Sequence, residues 1–368
     1  MPQIIPKAVR LLQNPGRYTT RLLQEVEIQT GLRCSKPSEV WLKLTERCNC
    51  RCRMCTIWEK NRSAKGELST KEWKTVLTGL RQWLGKKHIW FTGGEPFLRK
   101  DCLDVIRHAA ESGLSTGVIT NGALLHPERM QEVIESGLNE YHVSIDSLHP
   151  EIHDHLRGLS GTHKRAMDNV LALKKALQKK EATLKIVIKT IIMGYNSVEI
   201  LPLVDWVQEQ GFDEIKFQPL ESSLESEDDP LWFERSPYWQ APHHKQVFFQ
   251  MLESLIDRKK AGAPICNSLV ELQHFQMYFK DPAAAYEAAK NHTLSGAQKN
   301  ICRSGVSWME ILSRGGLRMC RHMPPLGDIR SAASPEQFWK DRLRCWENQE
   351  TECFAKAGNN QRDSIGPI

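Results

Sequence analysis

The sequence predicts an α/β protein whose core is a parallel β-sheet covered by helices. Short β-rich runs alternate with stretches of helical periodicity through the first 218 residues. Each intervening stretch is long enough for a crossover helix, which parallel neighbours require. The 368 residues, 40% of them hydrophobic, supply one large core or one core with a small appended domain. Six such units form either a partial barrel or an open doubly wound sheet, and in both the loops after the strands build the site.

The individual elements follow from composition and periodicity. Six runs have the length and composition of strands: residues 40–45, 88–92, 115–120, 141–145, 184–192 and 214–218. Residues 70–84 and 163–179 between them show amphipathic helical periodicity. Helices are also predicted at 243–261 and 268–279, and a hairpin at 308–319 turns at Gly315 and Gly316. A domain boundary is expected between residues 238 and 265.

Residues 221–239 interrupt the alternation of strands and helices. An acidic run is followed there by several aromatic residues. Two interpretations are open, a solvated loop or a lid over the substrate, because long loops in compact domains often cover a site.

Composition disfavours several classes of protein. The sequence has no run of about 18 apolar residues and no secretory signal, so we expect a cytoplasmic protein without a membrane span. The net charge of +6 is spread along the chain, so no nucleic-acid partner is expected. Eleven cysteines predict metal binding rather than disulfides, because the cytosol is reducing.

The cysteine cluster after the first predicted strand is the strongest chemical signal. Cys48, Cys52 and Cys55 stand at C-x3-C-x2-C spacing. Three thiolates on an iron-sulfur cube leave one iron open for another ligand. A zinc knuckle with Cys50 as fourth ligand is the alternative, although four thiolates within eight residues would be crowded. Cys50 itself is either a small buried apolar residue or a redox-active or hydrogen-donating thiol.

This spacing, together with Gly93-Gly94-Glu95-Pro96 after the second strand, resembles the radical S-adenosylmethionine (SAM) superfamily. The resemblance implies a partial (β/α)6 TIM-type barrel. It also implies a 4Fe-4S cluster whose free iron is chelated by the amino and carboxylate groups of S-adenosylmethionine. In that family the reduced cluster cleaves the cofactor to a 5'-deoxyadenosyl radical, which abstracts a hydrogen atom from the substrate.

The resemblance also assigns cofactor-binding positions. Gly93, Gly94 and Glu95 match the motif that contacts the methionine amino group of the cofactor. Further positions near the cofactor, at the ends of the third and fourth strands and just beyond, are Asn121, Ser144, Asp146 and Arg157. Ser144 and Arg157 are expected to make polar contacts with it, against the alternatives of a helix cap and a surface arginine.

A second group of cysteines lies near the C-terminus. Cys302, Gly315 and Cys320 form a C-x12-G-x4-C arrangement that resembles the opening of SPASM and Twitch extensions. With Cys345 and Cys353 they supply four thiolates, enough for one auxiliary 4Fe-4S cluster. The resemblance therefore adds a small C-terminal α+β Twitch/SPASM-like domain to the fold. Scattered structural cysteines are the competing interpretation.

Cys266 has three possible roles. It could replace one of the four C-terminal ligands, it could be a buried cysteine, or its thiol could donate a hydrogen atom to a substrate radical, as in an epimerase.

The predicted organisation is a leader at 1–37, a core at 38–238, a helical linker at 239–300, a cluster domain at 301–355 and a tail at 356–368.

The resemblance leaves the substrate open. We expect a small polar biosynthetic intermediate, such as a sugar or nucleoside, because residues 1–37 are too short for a separate peptide-recognition domain. A maturase that modifies a peptide or protein is the alternative, and a non-catalytic iron-sulfur or zinc protein is a remote one. An electron donor such as flavodoxin or ferredoxin is the expected protein partner.

Overall fold

The computed structural model describes residues 15–30, 32–60, 63–180, 183–221, 232–240, 244–282, 304–319 and 325–347. These residues contain a nine-stranded sheet. Its strands are β1 (Glu39–Thr45), β2 (His88–Gly93), β3 (Ser115–Thr120), β4 (Glu140–Ser144), β5 (Lys185–Ile192), β6 (Glu214–Pro219), β7 (Trp308–Ile311), β8 (Gly316–Arg318) and β9 (Gly327–Asp328).

The first six strands are parallel and lie side by side in chain order. All six predicted strands are therefore confirmed, with ends that differ by one residue or so. A doubly wound sheet would reverse its strand order at a switch point. Because the order from β1 to β6 never reverses, the structure has the partial barrel arrangement.

Helices connect the strands. They are α1 (Pro15–Thr30), α2 (Ile57–Lys60), α3 (Thr70–Leu84), α4 (Cys102–Glu111), α5 (Pro127–Glu135), α6 (Pro150–Arg157), α7 (Thr162–Lys180), α8 (Ile200–Glu209), α9 (Trp232–Arg235), α10 (Lys245–Lys260), α11 (Leu269–Lys280), α12 (Ser304–Ser307) and α13 (Pro335–Glu347), with 3-10 turns at Pro96–Leu98 and Gly194–Glu199. None of these described helices is long and apolar enough to cross a lipid bilayer.

Helix α3 shows why the periodic segments fold as predicted. Ser69 caps its N-terminus and forms a reciprocal capping box with Glu72, worth about 1 kcal/mol. Five apolar side chains at helical spacing are buried against the sheet: Trp73, Val76, Leu77, Leu80 and Trp83. Burial of each contributes about 1.5–3 kcal/mol relative to exposure. The apolar face of α3 thus fixes it against the outer side of the barrel.

The C-terminal strands extend the same sheet. Strands β7 and β8 form the predicted hairpin, and Gly315 has a positive φ of 94° at its turn. Strand β7 also pairs in parallel with β1, which the sequence did not predict. Helix α13 packs beside α3, with the Trp83 and Trp339 ring centroids 6.3 Å apart. The hairpin and α13 therefore share the core of the barrel.

Helix α1 is attached to the same region. The Gln24 side-chain amide donates hydrogen bonds to the Val306 carbonyl at 3.0 Å and to the Ser38 hydroxyl at 2.8 Å. Glu27 accepts a hydrogen bond from the Ser35 backbone N–H at 2.7 Å. The described part of the predicted leader thus contacts the segment before β1 and helix α12 before β7.

Candidate functional site

A cavity of about 240 Å³ opens at the carboxyl ends of the parallel strands. In a barrel of parallel strands this is the end where the loops build the active site. Side chains and backbone from the cysteine loop and from β2 to β6 line it: Cys48, Cys50, Cys52, Met54, Cys55, Thr56, Ile57, Trp58, Thr92, Gly93, Gly94, Ile119, Thr120, Asn121, Ser144, Arg157, Ile191, Gln218, Pro219, Leu220 and Glu221.

The three cysteines of the predicted motif all lie on this cavity. The loop that carries them is held by backbone bonds to the end of α6: Arg51 N–H donates to the Arg157 carbonyl, and Arg53 N–H to the Leu156 carbonyl, both at 2.9 Å. The Cys50 N–H donates to Cys48 Sγ at 3.4 Å. The Cys50 side chain is fully buried. The loop therefore brings all four cysteines to the cavity, with Cys50 more deeply buried than Cys52.

The arrangement of these thiols fits a cluster better than a single ion. Within the described ranges, no three Cys, His, Asp or Glu side chains lie close enough together to hold one metal ion. A zinc site would need four ligands, each about 2.1–2.3 Å from a common centre. Three cysteines on an open cavity are the donor set of an iron-sulfur cube that keeps one iron accessible.

The glycines after β2 are required by close backbone packing. Gly94 N–H donates to the Thr45 carbonyl at 2.8 Å. A Cβ added at Gly93 would lie 2.0 Å from that same carbonyl oxygen, and one at Gly94 would lie 2.2 Å from the Arg47 carbonyl oxygen. Only glycine permits this approach. The two glycines thus set the end of β2 directly against the cysteine loop and leave their backbone on the cavity.

Glu95 is fully buried and does not line the cavity. Its carboxylate accepts hydrogen bonds from the Thr120 hydroxyl at 2.7 Å, the Asn121 N–H at 2.8 Å and the Phe97 N–H at 3.1 Å. Burial raises the pKa of Glu95 to about 7, although these donors oppose the shift. The carboxylate therefore points at the end of β3, and its contact with the cofactor amino group stays a prediction.

Asn121 and Ser144 both lie on the cavity, as predicted. The Asn121 amide Nδ2 donates to Asn49 Oδ1 at 2.8 Å, so it ties the end of β3 to the cysteine loop. Ser144 ends β4 and is partly exposed toward the cavity. Their contact with a cofactor stays a prediction.

Arg157 and Asp146 form a buried ion pair at 2.6 Å between Nη2 and Oδ2. Arg157 lies on the cavity wall with its Nη1 4.0 Å from Cys52 Sγ, and Asp146 lies behind it. A hydrogen bond with the Cys50 thiol, together with the Arg157 charge, lowers the pKa of Cys52 to about 6, against the effect of burial. Arg157 Nε has no hydrogen-bond partner among the described residues, which suits an additional acceptor such as a cofactor carboxylate.

Two neighbouring residues fix this ion pair. The Asp146 backbone N–H donates to His153 Nδ1 at 3.2 Å, and burial holds the pKa of His153 well below its usual value. Gly158, with a φ of 61°, ends α6, and a Cβ there would lie 2.1 Å from the Arg51 carbonyl oxygen. Arg157 is therefore held between a neutral histidine and the cysteine loop.

Cys266 does not line the cavity. Its N–H donates to the Ile215 carbonyl at 2.8 Å, so it extends the free edge of the barrel beside β6. Burial raises the pKa of its thiol to about 11. Of the four predicted auxiliary ligands, Cys302, Cys320 and Cys353 lie outside the described residues, and Cys345 is described only as a position on α13.

Sequence reasoning did not assign the aromatic residues at the mouth of the site. Trp232, Tyr238 and Trp239 pack against a small buried cluster that contains Leu220, which lines the cavity. His155 stacks on Tyr195 with ring centroids 5.0 Å apart. The aromatic stretch after β6 was the available signal, and its described part lies beside the cavity; the lid interpretation stays a prediction.

Comparison with known proteins gives one family match and several relatives. Residues 42–207 match the family model described as "Radical SAM superfamily". The chain is 38% identical over 132 residues to a PqqA peptide cyclase from Rhodopseudomonas palustris, a match that covers 36% of this chain and 35% of the cyclase. It is 28% identical over 323 residues to an AdoMet-dependent heme synthase from Methanosarcina barkeri, covering 85% and 83% of the two chains.

Solved structures show the same fold. SuiB from Streptococcus suis, bound to S-adenosylmethionine, superposes with a TM-score of 0.59 at 16% identity, covering 95% of this chain and 75% of SuiB. The anSMEcpe structure with bound AdoMet gives a TM-score of 0.59 at 16% identity, covering 89% and 90%. This chain spans only about a third of the length of the matched peptide cyclase. The cysteine loop and the glycine motif both lie within residues 42–207, and this part of the chain is a radical SAM domain.

Proposed function

We propose that this protein is a radical SAM enzyme that acts on a small, carboxylate-bearing biosynthetic intermediate. The observation that carries the first part is the convergence of Cys48, Cys52 and Cys55 on one cavity together with the Gly93-Gly94 backbone and Arg157. When bound, a 4Fe-4S cluster and S-adenosylmethionine would supply the 5'-deoxyadenosyl radical that abstracts hydrogen from a substrate C–H bond.

The protein's own groups position these partners. The three thiolates would hold the cluster, and the Gly93 and Gly94 backbone with the Asn121 and Ser144 side chains would contact the cofactor. Arg157, oriented by Asp146 at 2.6 Å, would pair with the cofactor carboxylate through its unpartnered Nε. Glu95 would act through the end of β3, which its hydrogen bonds hold in place.

A small-molecule substrate is supported by the extent of the matches. Similarity to the heme synthase runs through 85% of this chain, whereas the match to the peptide cyclase covers 36%. Heme is a carboxylate-bearing small molecule of biosynthetic origin. Modification of a peptide is the second candidate, because the peptide cyclase match has the higher identity, at 38%.

We also propose the remaining components of the reaction from the sequence pattern. Four thiolates, Cys302, Cys320, Cys345 and Cys353, would hold one auxiliary 4Fe-4S cluster of the Twitch or SPASM type. A flavodoxin or ferredoxin would supply electrons in the cytoplasm, where the thiols stay reduced. Cys266 remains a candidate hydrogen donor at the barrel edge.

The test is cofactor cleavage by anaerobically reconstituted protein with dithionite, followed by chromatography of 5'-deoxyadenosine. Wild type is expected to form it, and Cys55→Ala only background amounts. Cys34→Ala, which changes an exposed cysteine, is the matched control and should behave as wild type. Equal product from Cys55→Ala and wild type would contradict the proposal, as would no product from a wild type that carries its full iron content.

A further inference from the structure

Cys50 lies between two of the cysteines that would hold the cluster, and it hydrogen-bonds to both. Its backbone N–H donates to Cys48 Sγ at 3.4 Å. Its thiol makes further hydrogen bonds with the side chains of Cys48 and Cys52. The Cys50 side chain is fully buried, so bulk water does not compete for these bonds. Cys50 therefore interacts with two of the three predicted ligand sulfurs at once.

Backbone contacts fix Cys50 at this position. Arg51 Nη1 donates to the Cys50 carbonyl at 2.9 Å and to the Cys48 carbonyl at 3.0 Å. The backbone N–H groups of Arg51 and Arg53 donate to carbonyls at the end of α6. The side chains of Cys50 and Cys52 are buried, whereas Arg53 is exposed. A substitution at Cys50 therefore changes an inward-facing side chain and leaves the bonds that hold the loop backbone in place.

The chemistry of iron-bound cysteine decides the direction of the hydrogen bonds. A cysteine must lose its proton to bind iron, and a thiolate sulfur has no hydrogen to donate. In the protein that carries its cluster, the S–H and N–H of Cys50 are therefore the donors, and the sulfurs of Cys48 and Cys52 are the acceptors.

Donors at the ligand sulfurs affect how readily a cluster accepts an electron. One-electron reduction adds a negative charge to the cluster and its thiolates. In a buried site of low dielectric constant, solvent stabilises this charge poorly. Hydrogen bonds to the ligand sulfurs therefore stabilise the reduced form more than the oxidised form, and the reduction potential rises.

We propose that Cys50 raises the reduction potential of the 4Fe-4S cluster by donating hydrogen bonds to Cys48 and Cys52. No covalent bond forms or breaks at Cys50, and the electron comes from the flavodoxin or ferredoxin already proposed. Cys50 thus acts through two predicted ligands and is not itself a ligand. This inference rests on the proposed function, because it requires the cluster to be bound.

The test is a potentiometric titration of anaerobically reconstituted protein, followed through the electron paramagnetic resonance signal that responds to S-adenosylmethionine. In Cys50→Ala we expect an about fivefold lower ratio of reduced to oxidised cluster at a fixed potential, as for the loss of one ordinary hydrogen bond. Cys50→Ser keeps an O–H donor and should retain most of the wild-type ratio. Cys102→Ala is the matched control and should leave the ratio unchanged, because Cys102 is also fully buried but lies on α4, outside the cavity lining.

Iron analysis of the same samples separates a hydrogen-bond donor from a ligand. The inference requires equal iron in wild type and Cys50→Ala, and a loss of about four irons would make Cys50 a ligand and overturn it. An unchanged ratio in Cys50→Ala would also overturn it. Equally lowered ratios in Cys50→Ala and Cys50→Ser would do the same, because the lost volume and not the lost donor would then be the cause. Formation of 5'-deoxyadenosine by wild type reports separately on the proposed function.

Discussion

The two sides of the barrel mouth are built differently. At the cysteine loop, backbone packs on backbone so closely that Gly93, Gly94 and Gly158 leave no room for a Cβ. On β5 and β6 the inner face carries long charged side chains, Lys189 and Lys216, beside a loop rich in aromatic rings. The first side has almost no freedom to change, whereas the second can change one side chain at a time. This difference suits an invariant cofactor on one side and a particular substrate on the other.

Breaking the close packing should have the largest effect. Gly158→Ala places a Cβ 2.1 Å from the Arg51 carbonyl oxygen, and Gly158 already has a φ of 61°. We expect a loss of about 3 kcal/mol or more in the free energy of unfolding, with loss of cluster loading. Gly66→Ala is the matched control, because its φ is 83° but nothing lies within 4 Å of an added Cβ. Urea unfolding measures the free energy of unfolding, and iron analysis measures cluster loading. Equal losses of stability and iron in Gly158→Ala and Gly66→Ala would show that the contact with the cysteine loop is unimportant.

Breaking the buried ion pair between Arg157 and Asp146 should have the next largest effect on stability. Asp146→Asn leaves the Arg157 charge without its buried partner, so we expect a loss of about 3 kcal/mol in stability and weaker binding of S-adenosylmethionine. Asp104→Asn removes an exposed pair with Arg107 and should cost less than about 0.5 kcal/mol. Denaturant unfolding and calorimetric titration provide the readouts. Similar small losses in both variants would mean that Arg157 is oriented by other groups.

The two sides should respond to pH in opposite directions. The folded pKa of Glu95 is raised to about 7. The protonated carboxyl group therefore contributes fully to the free energy of unfolding below pH 4.5, and this contribution is lost as pH rises toward 7. The folded pKa of His142 is lowered to about 4. The neutral imidazole therefore contributes fully to the free energy of unfolding above pH 6.5, and this contribution is lost as pH falls toward 4. Each shift corresponds to roughly 3 kcal/mol in the free energy of unfolding, from about 1.4 kcal/mol per pKa unit.

Unfolding free energies measured between pH 4.5 and 7 should show this in two variants. Relative to wild type, Glu95→Gln is expected to gain stability as pH rises, because it lacks the penalty of ionising a buried carboxyl group. His142→Asn is expected to lose stability relative to wild type over the same rise. Parallel curves for wild type and either variant would refute the assigned direction for that residue.

A substitution among the aromatic residues after β6 should have the smallest effect on stability. Tyr238 contacts Tyr195 and His155 with centroid distances of 6.0 and 6.1 Å. Tyr238→Leu is expected to cost less than about 1 kcal/mol in stability, because these rings are partly exposed. It should leave the Kd of S-adenosylmethionine, measured by calorimetric titration, unchanged. A raised Kd for S-adenosylmethionine would place this ring with the cofactor side instead.

Local signals made much of this architecture predictable. The six strands and the Cys48, Cys52 and Cys55 loop are set by contiguous residues, so the sequence alone was enough to locate them. The pairing of β7 with β1 joins segments far apart in the chain, and no local pattern specifies it. The burial of Glu95 was missed for the same reason, because its hydrogen-bond donors come mainly from the end of β3. The Lys189–Lys216 pairing likewise depends on register, which tertiary packing decides.

The most direct test of the account is electron paramagnetic resonance with iron analysis on anaerobically reconstituted protein, before and after addition of S-adenosylmethionine. We predict about eight irons per chain in wild type and about four in the Cys48→Ala, Cys52→Ala, Cys55→Ala triple variant, as expected for two four-iron clusters. The cofactor should change the spectrum of reduced wild type and leave that of the triple variant unaltered. An unchanged iron content in the triple variant, or a wild-type spectrum insensitive to S-adenosylmethionine, would contradict the assignment of these three cysteines as the cofactor-binding centre.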